Sequence, residues 1–163
     1  MKKLPVFPYL LAFHGALAAA ALLWALREKL PCPLTDVLSP LRNSPWEMGK
    51  AAFFPLLLTA PLLWALQKGG SRGGLCLMAA AGALLAAALA YTALPAAAAA
   101  SLAIAGALAL YALVLRRIGG DALLWYVLTV ALTVAYILLT ILPPCGGPFL
   151  PREQVSAMGA IPF

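Results

Sequence analysis

Charge is what this sequence has least of: 10% of its 163 residues are Asp, Glu, Lys or Arg, and only five are acids. Soluble domains carry about 25%, so a globule solvated by water alone is excluded. No carboxylate falls in the apolar interior of a long hydrophobic run, which removes the usual relay of a proton-coupled carrier. His14 is the one histidine. With no carboxylate beside it at ligand spacing, a metal site is not expected. An HExxH pattern, a nucleophile motif and a Gly-rich phosphate loop are all missing, so no catalytic motif supports an enzyme and no cofactor is expected. Basic and aromatic residues are nowhere interleaved on a polar face, which argues against nucleic acid despite the net charge of +6. No internal repeat is visible, so an inverted-repeat transporter has no support.

What is present is apolar: 64% hydrophobic residues and a mean hydropathy of +0.98. A spanning helix takes about 20 mostly apolar residues. The chain therefore has room for about five spans and no second, soluble domain. The expected fold class is an all-α integral membrane helix bundle, with spans at about 7–26, 45–67, 75–93, 96–117 and 122–142 and a Pro/Gly-rich tail at 143–163. The first apolar run exceeds a secretory h-region in length and is read as a retained helix. In the polar loop that follows, Leu30, Leu34, Val37 and Leu38 suggest a short segment lying on the membrane surface. Pro55 and Pro61 predict kinks in the second span. "KGGSRGG" (68–74) reads as a flexible basic turn. The third and fourth spans are rich in Ala and Gly, as close helix packing in lipid requires, with Gly82 and Gly106 the expected points of nearest approach. Basic residues in the two short loops after spans two and four place the N-terminus in the cytoplasm and the C-terminus outside, in an inner membrane.

The densest chemistry lies in "SPLRNSPWEMGKAAFFP" (39–55). Ser44 reads as an N-cap, Pro45 as the first helical residue, and Glu47 as the far member of a capping box. Trp46 suits the head-group level. Lys50 follows Glu47 at i+3, where an exposed pair contributes about 0.2–0.5 kcal/mol. Beside this structural account stands a functional one. Arg42, Asn43, Trp46, Glu47 and Lys50, with Glu153 of the tail, could hold a polar or anionic head group at the mouth of a bundle. Four further residues, Thr129, Thr133, Tyr136 and Thr140, fall on one face of the fifth span. That stripe would hydrogen-bond across helices or line a polar cavity with Tyr91, Thr92 and Ser101. His14 would either bond a neighbouring helix or serve a function. Cys32 and Cys145 both fall on the outer side and are a candidate disulfide, while Cys76 sits near the inner end of the third span.

The segment "LSPLRNSPWEMGKAAFFPLLL" (38–58) resembles a family of small bacterial membrane proteins, domain of unknown function 6512. The resemblance rests on Ser39, Pro40, Asn43, Ser44, Trp46, Glu47, Lys50, Phe53, Phe54 and Pro55. A weaker likeness covers Pro143, Pro144, Glu153, Ile161 and Pro162. It implies a polytopic membrane fold and no assigned activity. Met48 and Cys145 stand where members often carry His, so any chemistry of those histidines has no counterpart here. The expected function is the binding of a small ligand, lipid head group or partner protein at the outer face. A small permease or transporter subunit is the alternative, and a lipid-modifying enzyme a second one. The expected partners are membrane lipids, another membrane protein or a second copy of the chain.

Overall fold

The computed structural model describes residues 6–40, 44–67, 71–92, 94–117, 122–142 and 149. All regular structure among them is helical: α1 (Val6–Lys29), α2 (Pro33–Leu38), α3 (Pro45–Leu66), α4 (Arg72–Leu89), α5 (Ala96–Leu113) and α6 (Ala122–Ile141), with a 3-10 turn at Leu115–Arg117. Every one of these except α2 is long and apolar enough to cross a membrane, five helices in all. At 1.5 Å per residue, 18 to 24 residues reach about 27–36 Å, the thickness of a hydrocarbon core. The expected five-span bundle is therefore the observed architecture.

Two helices form the centre. α3 packs on α1, α4 and α5, and α4 packs on α3, α5 and α6. Their contact surface is made of large residues from α3 set against small ones from α4. Phe53, Leu56 and Leu63 are fully buried, and so are or nearly are Ala79, Ala83 and Ala86. α5 answers with Ala99, Ala103 and Ala107, spaced four apart and buried in turn. Without a solvent-driven force between helices in lipid, the gain comes from dispersion, and small residues let the backbones close in to collect it. Gly82 marks the junction of α3, α4 and α5. A Cβ there would collide with Leu56 Cδ1 and lie 3.4 Å from Ala107 Cβ and 3.7 Å from Ala52 Cβ. Gly106, also an expected approach point, is less confined, with Leu85 Cδ1 at 3.2 Å as its near neighbour.

The helix ends follow local chemistry. Ser44 and Ser71 are N-caps in extended conformation, accepting from Glu47 N and Gly74 N at 3.2 Å each. α4 thus begins at Arg72, three residues ahead of the expected start. Arg72, Gly73 and Gly74 are inside the helix, with Trp125 close on Gly73 and the Leu115 carbonyl close on Gly74, neither of which is visible locally. α3 runs through Pro55 and Pro61 without a break in its assignment. Between them the Thr59 hydroxyl donates to Pro55 O at 3.0 Å and Leu56 O at 3.1 Å. α5 stops at Leu113 and tightens into the 3-10 turn where the sequence pattern suggested continued helix to 117.

The loop after α1 departs from expectation in placement. Its short helix, α2, packs on α1, α3 and α6 and covers one end of the bundle. Val37 joins the core, Leu38 packs against it, and only Leu30 and Leu34 face outward. Thr35 fixes the start of α2: Cys32 N donates to Thr35 Oγ1 at 3.0 Å, and that hydroxyl donates onward to Cys32 O at 2.8 Å and Leu30 O at 3.0 Å.

Candidate functional site

α2 closes the end where α1 finishes and α3 begins, and four charges of that end, Arg27, Asp36, Glu47 and Lys50, gather beneath and beside it, while Glu28 and Lys29 are exposed. Lys50 Nζ lies 2.8 Å from Glu47 Oε2 and donates to Asp36 O at 3.3 Å. Arg27, in the last turn of α1, donates from Nη1 to Pro40 O at 2.9 Å and from Nε to Asp36 Oδ1 at 3.4 Å. Asp36 thus ties both cations to α2, one through its carbonyl and one through its carboxylate. Burial divides the set. Lys50 is 0% exposed and Glu47 7%, while Arg27 and Asp36 keep about a third of their side chains in the open.

The Glu47–Lys50 contact expected from i,i+3 spacing is therefore present, but as a buried pair and not as an exposed one. The difference is large. Breaking an exposed pair costs tenths of a kcal/mol, whereas removing one partner of a buried pair costs about 3–5 kcal/mol. The Ser44 half of the capping box is also present, and the Glu47 carboxylate is turned to Lys50.

Aromatic rings wall the other side. Trp46 packs on Tyr136 with ring centroids 4.5 Å apart and on Phe149 at 5.4 Å; Tyr136 also touches Phe53 at 5.3 Å and Phe54 at 5.8 Å. The Tyr136 hydroxyl lies directly on Gly49, the one position on that face without a Cβ. Trp46, the ring expected at the head-group level, lies against this wall. It is half-buried, and its indole N–H is buried without a hydrogen-bond partner among the described residues. Ser39, 1% exposed at the end of α2, likewise has a buried hydroxyl with no such partner. Buried donors are nearly always paired; among the described residues the Tyr9 hydroxyl and the Gln67 amide share this state.

Other expected residues are placed differently. Among the described residues His14 bonds no neighbouring helix: it is exposed on the outside of α1, and its Nδ1 meets Leu10 O of the same helix at 2.8 Å. The hydroxyl stripe of α6 does face inward, since Thr129, Thr133 and Thr140 are half-buried and Tyr136 is buried. Its threonines, however, bond back to their own helix, to Trp125 O at 2.8 Å, Thr129 O at 2.8 Å and Tyr136 O at 2.6 Å. A threonine in a helix can always reach the carbonyl four residues earlier, and here all three do. Thr92 and Ser101 do the same, to Leu89 O and Ala97 O, and Tyr91 is exposed, so they line no polar cavity with the stripe. A crevice of about 60 Å³ does open between α4 and α6, lined by Cys76, Leu77, Ala80, Trp125, Leu128 and Thr129, and it is apolar. Cys76 is buried and Cys32 exposed, both as free thiols. The Cys32 thiol is held below its ordinary pKa, first by the backbone N–H of Thr35 and then by its hydroxyl. Arg42, Asn43, Cys145 and Glu153 lie outside the described residues. No group of three or more metal-ligating side chains occurs among the described ones.

Arg27 and Asp36 are the members of this site that local pattern misses. They are nine residues apart across a turn, and only the fold-back of α2 joins them. Comparison of the chain with family models, with curated proteins and with solved structures finds no match.

Proposed function

We propose that the chain is a non-catalytic integral membrane protein of a bacterial inner membrane that binds a lipid head group at the end covered by α2. The observation that carries this reading is the grouping there of Arg27, Asp36, Glu47 and Lys50; the nearby ends of α2 and α3 add two buried donors, of Ser39 and Trp46, with no partner among the described residues. Arg27 stays half-open to the surroundings, beside the exposed apolar side chains of Trp24, Leu30 and Leu34. A guanidinium at such a rim meets phosphate oxygens at the level where a bilayer presents them. A second copy of the chain or another membrane protein is a further candidate partner.

The permease reading has less to support it. The described threonines of α6 spend their hydroxyls on their own helix, and the middle of the bundle is filled by Phe53, Leu56, Met78 and Ile104. Orientation belongs to the same proposal: N-terminus in, C-terminus out, with α2 on the outer side. Membership of the domain-of-unknown-function 6512 family also belongs to it, and rests on residues 38–58.

Native mass spectrometry of the purified protein titrated with phospholipid tests the reading. Specific phospholipid adducts that fall away in Arg27→Gln support it; adducts no more abundant than those on an unrelated five-span protein refute it. Reporter fusions at residue 70 should read cytoplasmic and fusions after residue 150 outside. The reverse at both positions refutes the orientation.

A further inference from the structure

The end of the bundle opposite α2 differs from it in charge. Under α2, Arg27 and Lys50 are matched by Asp36 and Glu47. At the opposite end α3 and α5 finish and α4 and α6 begin. The sequence there supplies Lys68, Arg72, Arg116 and Arg117 against Asp121 alone. Arg72 opens α4, and Arg117 belongs to the 3-10 turn that packs on α4. Both of these side chains are exposed. The Arg72 guanidinium lies over the Trp64 ring, 4.7 Å from its centroid. Among the described residues no carboxylate or carbonyl accepts from either guanidinium. Stacking occupies the flat face of Arg72 and leaves its N–H edges free, the edges that grip a phosphate. Basic loops follow from topology alone, but the groove beside them does not.

That groove is the apolar crevice between α4 and α6. Trp125 forms one of its walls, and the same ring packs on Gly73, the neighbour of Arg72. Ala80, also on its lining, lies eight residues beyond Arg72, about 12 Å further along α4. Leu128 on its rim is exposed, so the crevice opens to the outside of the bundle. At about 60 Å³ it is far smaller than the ~300–1,000 Å³ of a pocket that encloses a small molecule. It fits the side of an extended hydrocarbon chain. We infer that this is a site for an anionic phospholipid, with the head group at Arg72 and Arg117 and one acyl chain laid along the crevice. Basic sites between spanning helices take anionic head groups in this way. The surplus of positive charge selects the lipid: a zwitterionic head group brings its own ammonium against two guanidiniums, and an anionic one does not. The site is separate from the one proposed under α2 and does not depend on it.

The test compares phosphatidylglycerol and phosphatidylethanolamine of equal acyl chains on the whole protein, with native mass spectrometry reading the retention of each. The expected preference for the glycerol lipid is about fivefold for each arginine, and so about 25-fold, the gain of a basic side chain at an anionic membrane surface. It should fall to near parity in Arg72→Gln/Arg117→Gln, both exposed positions, and stay unchanged in Arg27→Gln. Ala80→Leu keeps both arginines and fills the crevice, and should lose part of the glycerol-lipid retention. Equal retention of the two lipids by the unmodified protein overturns the inference; if the adducts still fall away in Arg27→Gln, the reading for the α2 end stands. A preference that survives in Arg72→Gln/Arg117→Gln, or that disappears in Arg27→Gln, also overturns it. Unchanged retention in Ala80→Leu overturns the part assigned to the crevice.

Discussion

Lys50→Met is the most informative single change, because the sequence and the structure assign it different magnitudes. The substitution keeps the length of the side chain and removes its charge. If Glu47 and Lys50 formed an exposed i,i+3 pair, the loss would be about 0.2–0.5 kcal/mol. Here Lys50 is 0% exposed, and its ammonium satisfies a carboxylate that is itself 7% exposed. Removing it takes away the cation 2.8 Å from the buried Glu47 carboxylate and also frees the Asp36 carbonyl. The expected cost is about 3–5 kcal/mol. Glu47→Gln should cost a similar amount for the converse reason. The double variant should recover most of the loss, since exchanging a buried pair for neutral side chains of like volume is often neutral or stabilising by about 1–4 kcal/mol. Equilibrium unfolding in mixed micelles, followed by tryptophan fluorescence, measures all three. A double-mutant cycle then isolates the coupling. Additive single losses, or a Lys50→Met variant within about 0.5 kcal/mol of the parent, would refute the buried pair.

The same unfolding assay ranks the glycines. Gly74→Ala places a methyl against the Leu115 backbone carbonyl and should cost about 1–3 kcal/mol by overpacking. Gly106→Ala meets only the tip of Leu85 and should be nearly neutral; equal losses at the two sites contradict the packing described. His14→Leu should leave stability unchanged or slightly raised, because His14 is exposed and bonds only its own helix; a destabilised variant would mean the ring serves a neighbouring helix after all. Cys32 should react with a membrane-impermeant maleimide in unreduced, aerobically prepared protein. Labelling that appears only after reduction would establish the bridge to Cys145 instead.

The spans were legible because apolar runs of this length admit few other structures, and four of the five starts fall within a residue of expectation. The exception, α4, was hidden by "KGGSRGG", whose glycines look like breakers. Gly73 and Gly74 are helical with Trp125 and Leu115 approaching them from α6 and from the turn after α5, which no local window contains. The face of the α6 stripe was correctly given by its spacing, whereas the partner of each hydroxyl was not, since spacing fixes direction and leaves the choice of acceptor open. The candidate site was half visible. Glu47 and Lys50 were identified as a pair within one helix. Their burial depends on a helix ending twelve residues before Lys50 and folding back over it, and the link from Arg27 to Asp36 depends on the same fold-back.

α6 is the last of the described helices in chain order, and Tyr136 is the only buried side chain among its described residues. The four-helix unit of α1, α3, α4 and α5 is packed internally without it. During synthesis that unit can assemble while α6 is still leaving the translocation machinery. The final step then seats the Tyr136 phenol against Gly49 between Trp46, Phe53 and Phe54, and the Trp125 ring against Gly73. A helix fastened through so small an area responds first when the lateral pressure of the surrounding lipid changes. Because the same phenol wall borders the Glu47–Lys50 junction, any such loosening of α6 reaches the ion pair beneath α2.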